Sequence, residues 1–448
     1  MDNNKDSEVA SFYLGKSVLV TGGTGFLGKT LIEKLLYSCS GIDKLYVLVR
    51  DKFGKRACDR LASITSSPAF DRLRASRPED LKKIIIINGD MTRKNLGLPD
   101  DILQRLEDEV SVVFHLAASV ELGPPLENAM RINLDGTEHV IQLCHRIKKL
   151  EALVHVSTAY SNSDRKEIGE EVYPMSVTLE EARHIAETYS HDAEIISRFL
   201  DKKPNTYTFS KAFAEELVMK QCQELPVSIV RPSIVISALK EPCPGWIDTW
   251  CGATGLFVGM SAGILKVVRA VGSNTADLVP VDLVTNLLIV AATKCQKSKD
   301  IKVYNCCTGT SNPITNAGAN AIARRMTLKH SLNEFPWPFL LFTPNVLLYT
   351  IITFILQILP AYLIDLWSII TGKKATQMKL QIKLKKVIDV VKFFLINELK
   401  FSDDNMINLF RTLSPEDKET FNFDVKTINW ETCIENFLLG ARKYLLKK

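Results

Sequence analysis

The type of fold can be read from one stretch close to the start of the chain, Val18-Leu19-Val20-Thr21-Gly22-Gly23-Thr24-Gly25-Phe26-Leu27-Gly28. A short apolar run enters a turn with regularly spaced glycines, and leucines at helical spacing follow directly. The pattern predicts a buried strand, a tight turn and a helix. Gly22 permits the turn, Gly25 lets the backbone approach a phosphate, and Gly28 lets the helix pack closely on the strand. We therefore expect an α/β protein with a Rossmann-type doubly wound parallel sheet.

This turn also predicts a dinucleotide-binding site. The amides at the start of the helix would meet the pyrophosphate, and Thr24, Phe26 and Leu27 complete the expected cofactor contacts of the loop. The GxxGxxG spacing is the form used by short-chain dehydrogenases of the extended type. The alternative is an ordinary glycine-rich connection between a strand and a helix.

Composition limits the class of protein. The chain has 448 residues, which fits one large α/β domain and a smaller module. Its net charge is +5 and its lysines are dispersed, which does not favour nucleic-acid binding. Ten cysteines occur without CxxC spacing, so neither a metal site nor a disulfide framework is expected. The N-terminus is polar with no apolar region after it, so we expect no secretory signal and a cytosol-facing chain.

The end of the second predicted strand, at 44–49, bears on the choice of cofactor. Arg50 follows that strand, at the position where an acidic residue would hold the ribose 2′-hydroxyl of NAD. An arginine suits the 2′-phosphate of NADP instead, because a guanidinium binds a phosphate through two hydrogen bonds. The sequence therefore predicts NADPH, with a solvated loop arginine as the alternative.

Later predicted strands supply further candidate residues at their ends. Asp90 follows the third strand and is expected to touch the adenine ring or to serve as a turn aspartate. The fourth strand contains His115, interpreted as a packed strand-end histidine, and opens into small residues where a cofactor would lie against the backbone at Ala117. The fifth strand delivers Ser157 and Thr158 at its carboxyl end, where open α/β sheets place their chemistry.

A YxxxK motif, Tyr207-Thr208-Phe209-Ser210-Lys211, opens a predicted helix. Its two ends lie one turn apart on the same face. An ammonium near a phenol favours the phenolate and lowers the phenol pKa, and the same lysine can bind the nicotinamide ribose. A hydroxyl from Thr158 or Ser157 would hold a carbonyl oxygen beside Tyr207, which protonates the oxyanion as hydride arrives. The alternative is an amphipathic helix with an exposed lysine.

The dinucleotide-binding domain is expected to cover residues 12–315. Within it, residues from about 232 to 310 are glycine-rich and are predicted to bind substrate. A helical module is expected to follow at 345–448.

An apolar segment at 335–370 joins these regions. Its first part carries no charged residue as far as Ile364. Pro344 and Pro360 bracket the most apolar run and are expected to limit any uninterrupted helix there. Basic residues flank the segment on both sides, which does not give the asymmetry of a single membrane span. We expect a hairpin or an in-plane helix that contacts a membrane, with a buried helical hairpin of a soluble domain as the alternative.

Ordered motifs along the chain resemble those of a known family. They are TGGTGFLGKTLIEKLL, HLAASVEL, VHVSTAYSN, PNTYTFSKAFAEEL, RPSIV, EPCPGWIDTW, LVPVDLVTN and PAYLIDLW. From about Phe12 onward the sequence resembles the fatty acyl-CoA reductases, most closely those of insects and the moth pheromone-gland subgroup. The matching cofactor-loop and catalytic positions are Gly22, Gly25, Gly28, Thr158, Tyr207 and Lys211.

The resemblance implies NADPH-dependent reduction of a long-chain fatty acyl-CoA, through an aldehyde, to a primary alcohol. It also implies association with a membrane, commonly at the endoplasmic reticulum. Because NADPH is cytosolic, we expect the dinucleotide domain on the cytosolic face. Another extended dehydrogenase, such as a hydroxysteroid dehydrogenase, is an alternative that Arg50 and the long C-terminal region disfavour. A non-catalytic nucleotide-sensing protein is a second alternative. Such proteins typically lose the tyrosine or the lysine of the YxxxK motif, whereas both are present here.

Overall fold

The computed structural model describes residues 7–51, 57–120, 125–190, 192–200, 202–298, 300–332 and 338–447. Residues 121–122 of the HLAASVEL motif and 335–337 of the predicted apolar segment lie outside these ranges. The strands are β1 (Ser17–Thr21), β2 (Leu45–Val49), β3 (Ile84–Asn88), β4 (Val110–His115), β5 (Ala152–Val156), β6 (Glu167–Ile168), β7 (Val227–Pro232), β8 (Ile234–Ile236), β9 (Val267–Val268), β10 (Leu278–Pro280), β11 (Lys302–Cys306), β12 (Leu341–Phe342) and β13 (Lys400–Phe401).

The α-helices are α1 (Glu8–Phe12), α2 (Phe26–Ser38), α3 (Ala57–Thr65), α4 (Asp71–Ser76), α5 (Asp100–Glu109), α6 (Leu126–Met130), α7 (Gly136–Arg146), α8 (Leu179–Tyr189), α9 (Ala193–Phe199), α10 (Thr206–Gln221), α11 (Ala253–Ser261), α12 (Val281–Thr293), α13 (Asn316–Lys329), α14 (Val346–Thr353), α15 (Leu359–Ile370), α16 (Gln377–Ile396), α17 (Asp404–Arg411), α18 (Pro415–Thr420) and α19 (Trp430–Gly440). Short 3₁₀ and π turns connect several of them.

A 7-stranded parallel sheet forms the centre of the first structural unit. Its strands follow the order β11-β7-β5-β4-β1-β2-β3, and every pairing within it is parallel. All residues of β1, β2, β4 and β5 are buried, as expected for strands covered by helices on both faces. The order reverses between β1 and β4, which opens a ligand crevice at their carboxyl ends. The predicted doubly wound fold is confirmed.

The chain divides into two compact units that are interleaved in sequence, whereas the sequence predicted consecutive segments. The first unit holds the described residues of Met1–Ser233, Val281–Cys307 and Phe401–Val425. Its last segment is tied in by the Ser402 amide, which donates to the Ile168 carbonyl over 3.0 Å. The reason is tertiary, since a hydrogen bond between residues so far apart has no local sequence signal.

The second unit holds the described residues of Ile234–Pro280, Thr308–Lys400 and Lys426–Lys448. Two short parallel strand pairs, β8 with β10 and β9 with β12, brace it. Helix α13 packs on α19, and Lys329 of α13 forms a 2.7 Å ion pair with Glu435 of α19. This unit is mainly helical, as the C-terminal module was predicted to be.

A continuous helix occupies Val346–Ile370 in the second unit. Among the described residues it is the one helix long and apolar enough to cross a membrane, with 25 residues and a mean hydropathy of 2.1. Pro360 was expected to limit an uninterrupted helix, and this expectation is wrong. A π-helical turn at Phe354–Ile358 widens the helix just before Pro360, where an interior proline removes a hydrogen bond and crowds the preceding turn. The segment is therefore one helix rather than a hairpin.

Candidate active site

The glycine turn after β1 is closed by its own backbone. Gly22 has a φ of +75°, and a Cβ there would lie 2.7 Å from the Ala117 amide nitrogen. The Gly25 amide donates to the Gly22 carbonyl over 3.0 Å. A Cβ on Gly28 would lie 2.3 Å from that carbonyl oxygen. The turn is thus packed against the segment after β4, next to Ala117, whose contact with a cofactor stays a prediction.

Gly23 performs the packing role that the sequence assigned to Gly28. A Cβ on Gly23 would lie 2.5 Å from Val47 Cγ1 of β2 and 2.9 Å from Ile32 Cδ1 of α2. Gly28 packs instead on the backbone of the turn. Helix α2 approaches the sheet through Gly23, a glycine outside the GxxGxxG spacing, so the motif alone did not reveal it.

His115 lies at the end of β4 as a structural residue. Its Nδ1 is 2.8 Å from Thr21 Oγ1, and its Nε2 is 3.0 Å from Thr137 Oγ1. Burial, with Lys211 as a second cause, lowers the pKa of His115 to about 3. The imidazole is therefore neutral and joins β1, β4 and α7 below the crevice, in agreement with its interpretation as a packed strand-end histidine.

Two arginines meet beside the glycine turn, and the sequence pointed to one of them. Arg50 is exposed directly after β2. Arg60 of α3 donates from Nη1 to the Arg50 carbonyl over 2.7 Å and from Nη2 to Thr24 Oγ1 over 3.0 Å. Burial, and then the charge of Arg50, lower the pKa of Arg60. Several basic residues follow Arg50 in the sequence, and only the fold shows that Arg60 is the one bonded to Thr24.

Asp90 serves its own turn. Its Oδ1 accepts from the Thr92 amide over 3.0 Å and from Thr92 Oγ1 over 2.9 Å. Burial alone would raise the pKa of Asp90, but the Thr92 hydrogen bonds and nearby arginines lower it overall. The turn-aspartate alternative describes this geometry, and contact with an adenine ring stays a prediction.

The predicted catalytic residues come together at the carboxyl end of β5. The Asn205 side chain caps the N-terminus of α10 by accepting from the Thr208 amide over 2.9 Å. This places the phenol of Tyr207 in a hydrogen bond with the Thr158 side chain. Lys211 Nζ donates to the Val156 carbonyl over 2.7 Å. Of the two hydroxyls that the sequence left open, Thr158 is the one bonded to the phenol.

Burial dominates the protonation of the catalytic pair. It raises the pKa of Tyr207 to about 12, against the lowering effect of the Thr158 hydrogen bond. It lowers the pKa of Lys211 to about 8, against the charge of Glu215. The net direction is opposite to the lowering that the sequence predicted for the phenol pKa, because desolvation of the phenolate is the largest effect. At neutral pH Tyr207 is a protonated hydrogen-bond donor.

A buried ion pair supports the catalytic helix from behind. Glu215, one turn after Lys211, accepts from Arg231 Nε over 2.9 Å and from Arg231 Nη2 over 2.7 Å. Both side chains are almost fully buried, with 1% and 0% exposure. Ser161 Oγ also donates to Glu215 over 3.0 Å. The sequence pattern did not predict this pair, although the RPSIV motif and a glutamate four residues after Lys211 are both present in it.

Asn133 ties the loop after β4 to the catalytic helix. Its Nδ2 donates to Ser210 Oγ over 2.9 Å, and its Oδ1 accepts from the Ser119 amide over 2.8 Å. Ser210 Oγ in turn donates to the Tyr207 carbonyl over 3.0 Å. The same side chain therefore fixes both walls that face the carboxyl ends of β4 and β5.

Comparison with known proteins identifies the family. Two family models, both described as male sterility protein, match residues 20–288 and 356–448. Fatty acyl-CoA reductase 1 of Xenopus laevis is 38% identical over 447 residues, covering 98% of this chain and 86% of the relative. Fatty acyl-CoA reductase 2 of Mus musculus is 34% identical over 456 residues, covering 99% and 87%. This chain belongs to the fatty acyl-CoA reductase family.

The reductase fold is also seen in solved structures. The terminal R domain from the myxalamid PKS-NRPS biosynthetic pathway matches with a TM-score of 0.64 at 18% identity, over 98% of this chain and 95% of that one. UDP-glucuronic acid 4-epimerase from Bacillus cereus in complex with NAD matches with a TM-score of 0.56 at 13% identity, over 96% and 98%. These likenesses establish the fold. Family membership makes this chain an oxidoreductase, and the family model that matches residues 20–288 supports a nicotinamide cofactor.

Proposed function

We propose that this reductase converts a long-chain fatty acyl-CoA through an aldehyde to a primary fatty alcohol, with NADPH as reductant. The observation that carries the proposal is the grouping of Tyr207, Thr158 and Lys211 at the carboxyl end of β5. Open α/β sheets bind ligands at that edge, next to the reversal of strand order. Membership of the fatty acyl-CoA reductase family supports the substrate class.

The residues of this chain fit a dinucleotide. Gly22 and Gly28 lie where a Cβ would clash with the backbone. Gly25, the N-cap of α2, has no side chain that would obstruct a phosphate there. Thr24, Phe26 and Leu27 complete the loop, and Lys211 would hold the nicotinamide ribose. When bound, the nicotinamide supplies hydride. The pyrophosphate would accept hydrogen bonds from the first amides of α2.

Tyr207 and Thr158 would act on the substrate oxygen. Their hydroxyls donate hydrogen bonds to the thioester carbonyl, which stabilises the negative charge that develops on its oxygen. Collapse of the tetrahedral oxyanion breaks the C–S bond and releases the CoA thiolate. In the second reduction the aldehyde oxygen takes its proton from Tyr207, which its high pKa keeps protonated until the alkoxide forms.

Arg50 and Arg60 support NADPH over NADH. The Arg60 guanidinium lies beside Thr24 and donates to the Arg50 carbonyl, and the charge of Arg50 is near enough to lower the pKa of Arg60. The adenosine ribose of a dinucleotide would lie at this end of β2. The nearby carboxylate of Asp51 accepts from Asn88 over 3.2 Å. Two positive charges favour a 2′-phosphate, which guanidinium groups bind through paired hydrogen bonds.

The site of action that we propose is the cytosolic face of a membrane, with the endoplasmic reticulum as the first candidate. The substrate and product are amphiphiles that partition into bilayers, and the apolar helix Val346–Ile370 offers a surface for that contact. NADPH in the cytosol then requires the dinucleotide-binding unit on that side. We also propose that the chain belongs to the moth pheromone-gland subgroup, and the motifs quoted above are the sole support for this assignment.

Expression in a host that lacks fatty alcohols tests the proposal. We expect new alcohols in lipid extracts of the wild type and none with Tyr207→Phe. The purified protein should oxidise NADPH with acyl-CoA and with the matching aldehyde. NADH-linked turnover of a sterol would support a hydroxysteroid dehydrogenase instead. Cofactor binding without turnover of any acyl-CoA or aldehyde would support the nucleotide-sensing alternative.

A further inference from the structure

The helix Val346–Ile370 buries the side chains of Gln357 and Asp365 and exposes most of its apolar side chains. Within the second unit, Gln357, Ala361 and Asp365 are buried at four-residue spacing. Leu347, Trp367 and Ile370 are 70%, 68% and 69% exposed. A surface helix of a water-soluble protein shows the opposite arrangement, with its apolar stripe on the core. The exposed face is therefore suited to an apolar environment rather than to water.

Two buried polar side chains fasten this helix to its own unit. Gln357 Oε1 accepts from the backbone amides of Lys266 and Val267 over 2.6 and 3.2 Å. Asp365 accepts from the backbone amides at the start of α16, over 2.8 to 2.9 Å. The two attachments are eight residues apart, or about 12 Å along the helix axis. The inner face is thus held along the middle of the helix.

These attachments distinguish an in-plane helix from a span. The helix is about 37 Å long and would reach across a bilayer by length alone. If the helix crossed the bilayer, β9 and the turn before α16 would enter the hydrocarbon together with Asp365. Irregular backbone and a buried charge are both disfavoured in hydrocarbon. An in-plane helix immerses its outer face by about 5–10 Å and keeps its inner face on protein. The in-plane arrangement satisfies every polar contact that the structure shows.

Exposed lysines accompany the apolar face. Lys373 and Lys374 follow the helix directly, and Lys379, Lys383 and Lys386 recur at helical spacing on the exposed side of α16. The opposite side of α16 buries Leu384 and Ile388 in the unit. Lysines next to a membrane surface bind anionic headgroups. Exposed Tyr362 and Trp367 are residue types enriched at the same boundary.

We propose that Val346–Ile370 is an in-plane anchor that enters one leaflet, and that the lysines after it make the protein prefer leaflets with anionic phospholipids. This inference rests on the membrane site of action proposed above and specifies its geometry and lipid class. The occupant of the apolar face is the leaflet itself, because both the apolar surface and the adjacent positive charge match it. The anchor leaves both ends of the helix on the same side of the bilayer.

Vesicle binding by the full chain tests the anchor. We expect co-flotation with phosphatidylcholine vesicles and tighter, salt-sensitive binding when phosphatidylserine is included. Leu347→Glu with Trp367→Glu should reduce binding to both kinds of vesicle by roughly tenfold or more. Leu328→Glu, at an exposed leucine of α13 in the same unit, is the matched control and should bind like wild type. Lys379→Ala, Lys383→Ala and Lys386→Ala together should abolish only the phosphatidylserine preference.

Labelling from outside the vesicle tests the topology. Asn345→Cys and Thr371→Cys, each made with the exposed Cys251 replaced by serine, should both react with a membrane-impermeant maleimide. Protection of either position would establish a span and overturn the in-plane anchor, as would equal loss of binding in the Leu328 control. Turnover of a water-soluble acyl-CoA in detergent is measured in parallel. Wild-type protein that turns over but does not bind vesicles would reject the anchor, whereas absent turnover in the wild type would reject the proposed reaction.

Discussion

Lys211 Nζ donates a 2.7 Å hydrogen bond to the carbonyl oxygen of Val156, the last residue of β5. This bond fixes the catalytic helix α10 to the end of β5, two residues before Thr158. Since the phenol of Tyr207 is bonded to Thr158, each member of the YxxxK pair is positioned by the strand rather than by the other. Their roles can therefore be separated by substitution.

Tyr207→Phe should abolish alcohol formation and leave cofactor binding intact. The substitution removes the hydroxyl that donates to the carbonyl oxygen but keeps the ring, and loss of a general acid lowers rates by roughly 10²–10⁴-fold. Turnover is measured by alcohol production and binding by cofactor fluorescence. Tyr189→Phe, at an exposed tyrosine of α8, is the control. Turnover near that of wild type would remove Tyr207 as the proton donor.

Alkaline pH should inactivate the enzyme through Lys211. Burial lowers the pKa of Lys211 to about 8, so the ammonium is present at neutral pH and is lost as the pH rises through that value. The deprotonated amine of Lys211 no longer provides a positive charge at the proposed binding site of the nicotinamide ribose. We expect kcat/KM to fall above pH about 8, and Lys211→Ala to reduce both turnover and cofactor affinity. A pH profile that stays flat to pH 9.5 or so would contradict the assignment.

Glu215→Gln should shift that alkaline limb to lower pH. The Glu215 carboxylate raises the pKa of Lys211 against burial, so its removal lets the lysine lose its proton earlier. The variant also leaves Arg231 buried without its ion partner, at a cost of about 3–5 kcal/mol in the free energy of unfolding. Glu216→Gln, at the next residue of α10, where the pair with Lys220 is partly exposed, is the matched control. An unshifted limb would show that Glu215 serves stability alone.

Arg50→Ala and Arg60→Ala should each raise the KM for NADPH much more than that for NADH. Loss of one charged contact to the 2′-phosphate costs about 1.5–3 kcal/mol, or roughly tenfold or more in affinity. Arg198→Ala, at an exposed arginine of α9, controls for a general change in charge. Equal effects on both cofactors would mean that neither guanidinium meets the phosphate.

Two glycines of the turn should respond differently to alanine. In Gly28→Ala the new Cβ would lie 2.3 Å from the Gly22 carbonyl oxygen, and the turn must distort. In Gly25→Ala the nearest atom, the Gly22 carbonyl oxygen, lies at 3.3 Å, so a much smaller shift suffices, but a pyrophosphate meets the methyl group. We expect the larger fall in melting temperature in the first variant and weaker cofactor binding in both. Unchanged cofactor affinity in Gly25→Ala would place the pyrophosphate elsewhere.

The sequence by itself determined the parts that short-range physics encodes. Apolar runs and glycine spacing predicted β1, the turn at Gly22 and helix α2, because steric limits on φ and helical periodicity act over a few residues. The four-residue spacing of Tyr207 and Lys211 likewise placed them on one face of α10. The end of β5 at Val156 followed from its apolar run, and with it the position of Thr158.

Only the tertiary structure decided what depends on residues far apart in the chain. It brought Arg60 to Thr24, paired Glu215 with Arg231 and gave Gly23 its packing role. It also reversed the expected direction of the Tyr207 pKa, because the extent of burial is set by the whole fold and desolvation is the largest effect. The burial of Gln357 and Asp365 has the same origin, since their partners at residues 266–267 and 376–378 become neighbours only when the chain folds.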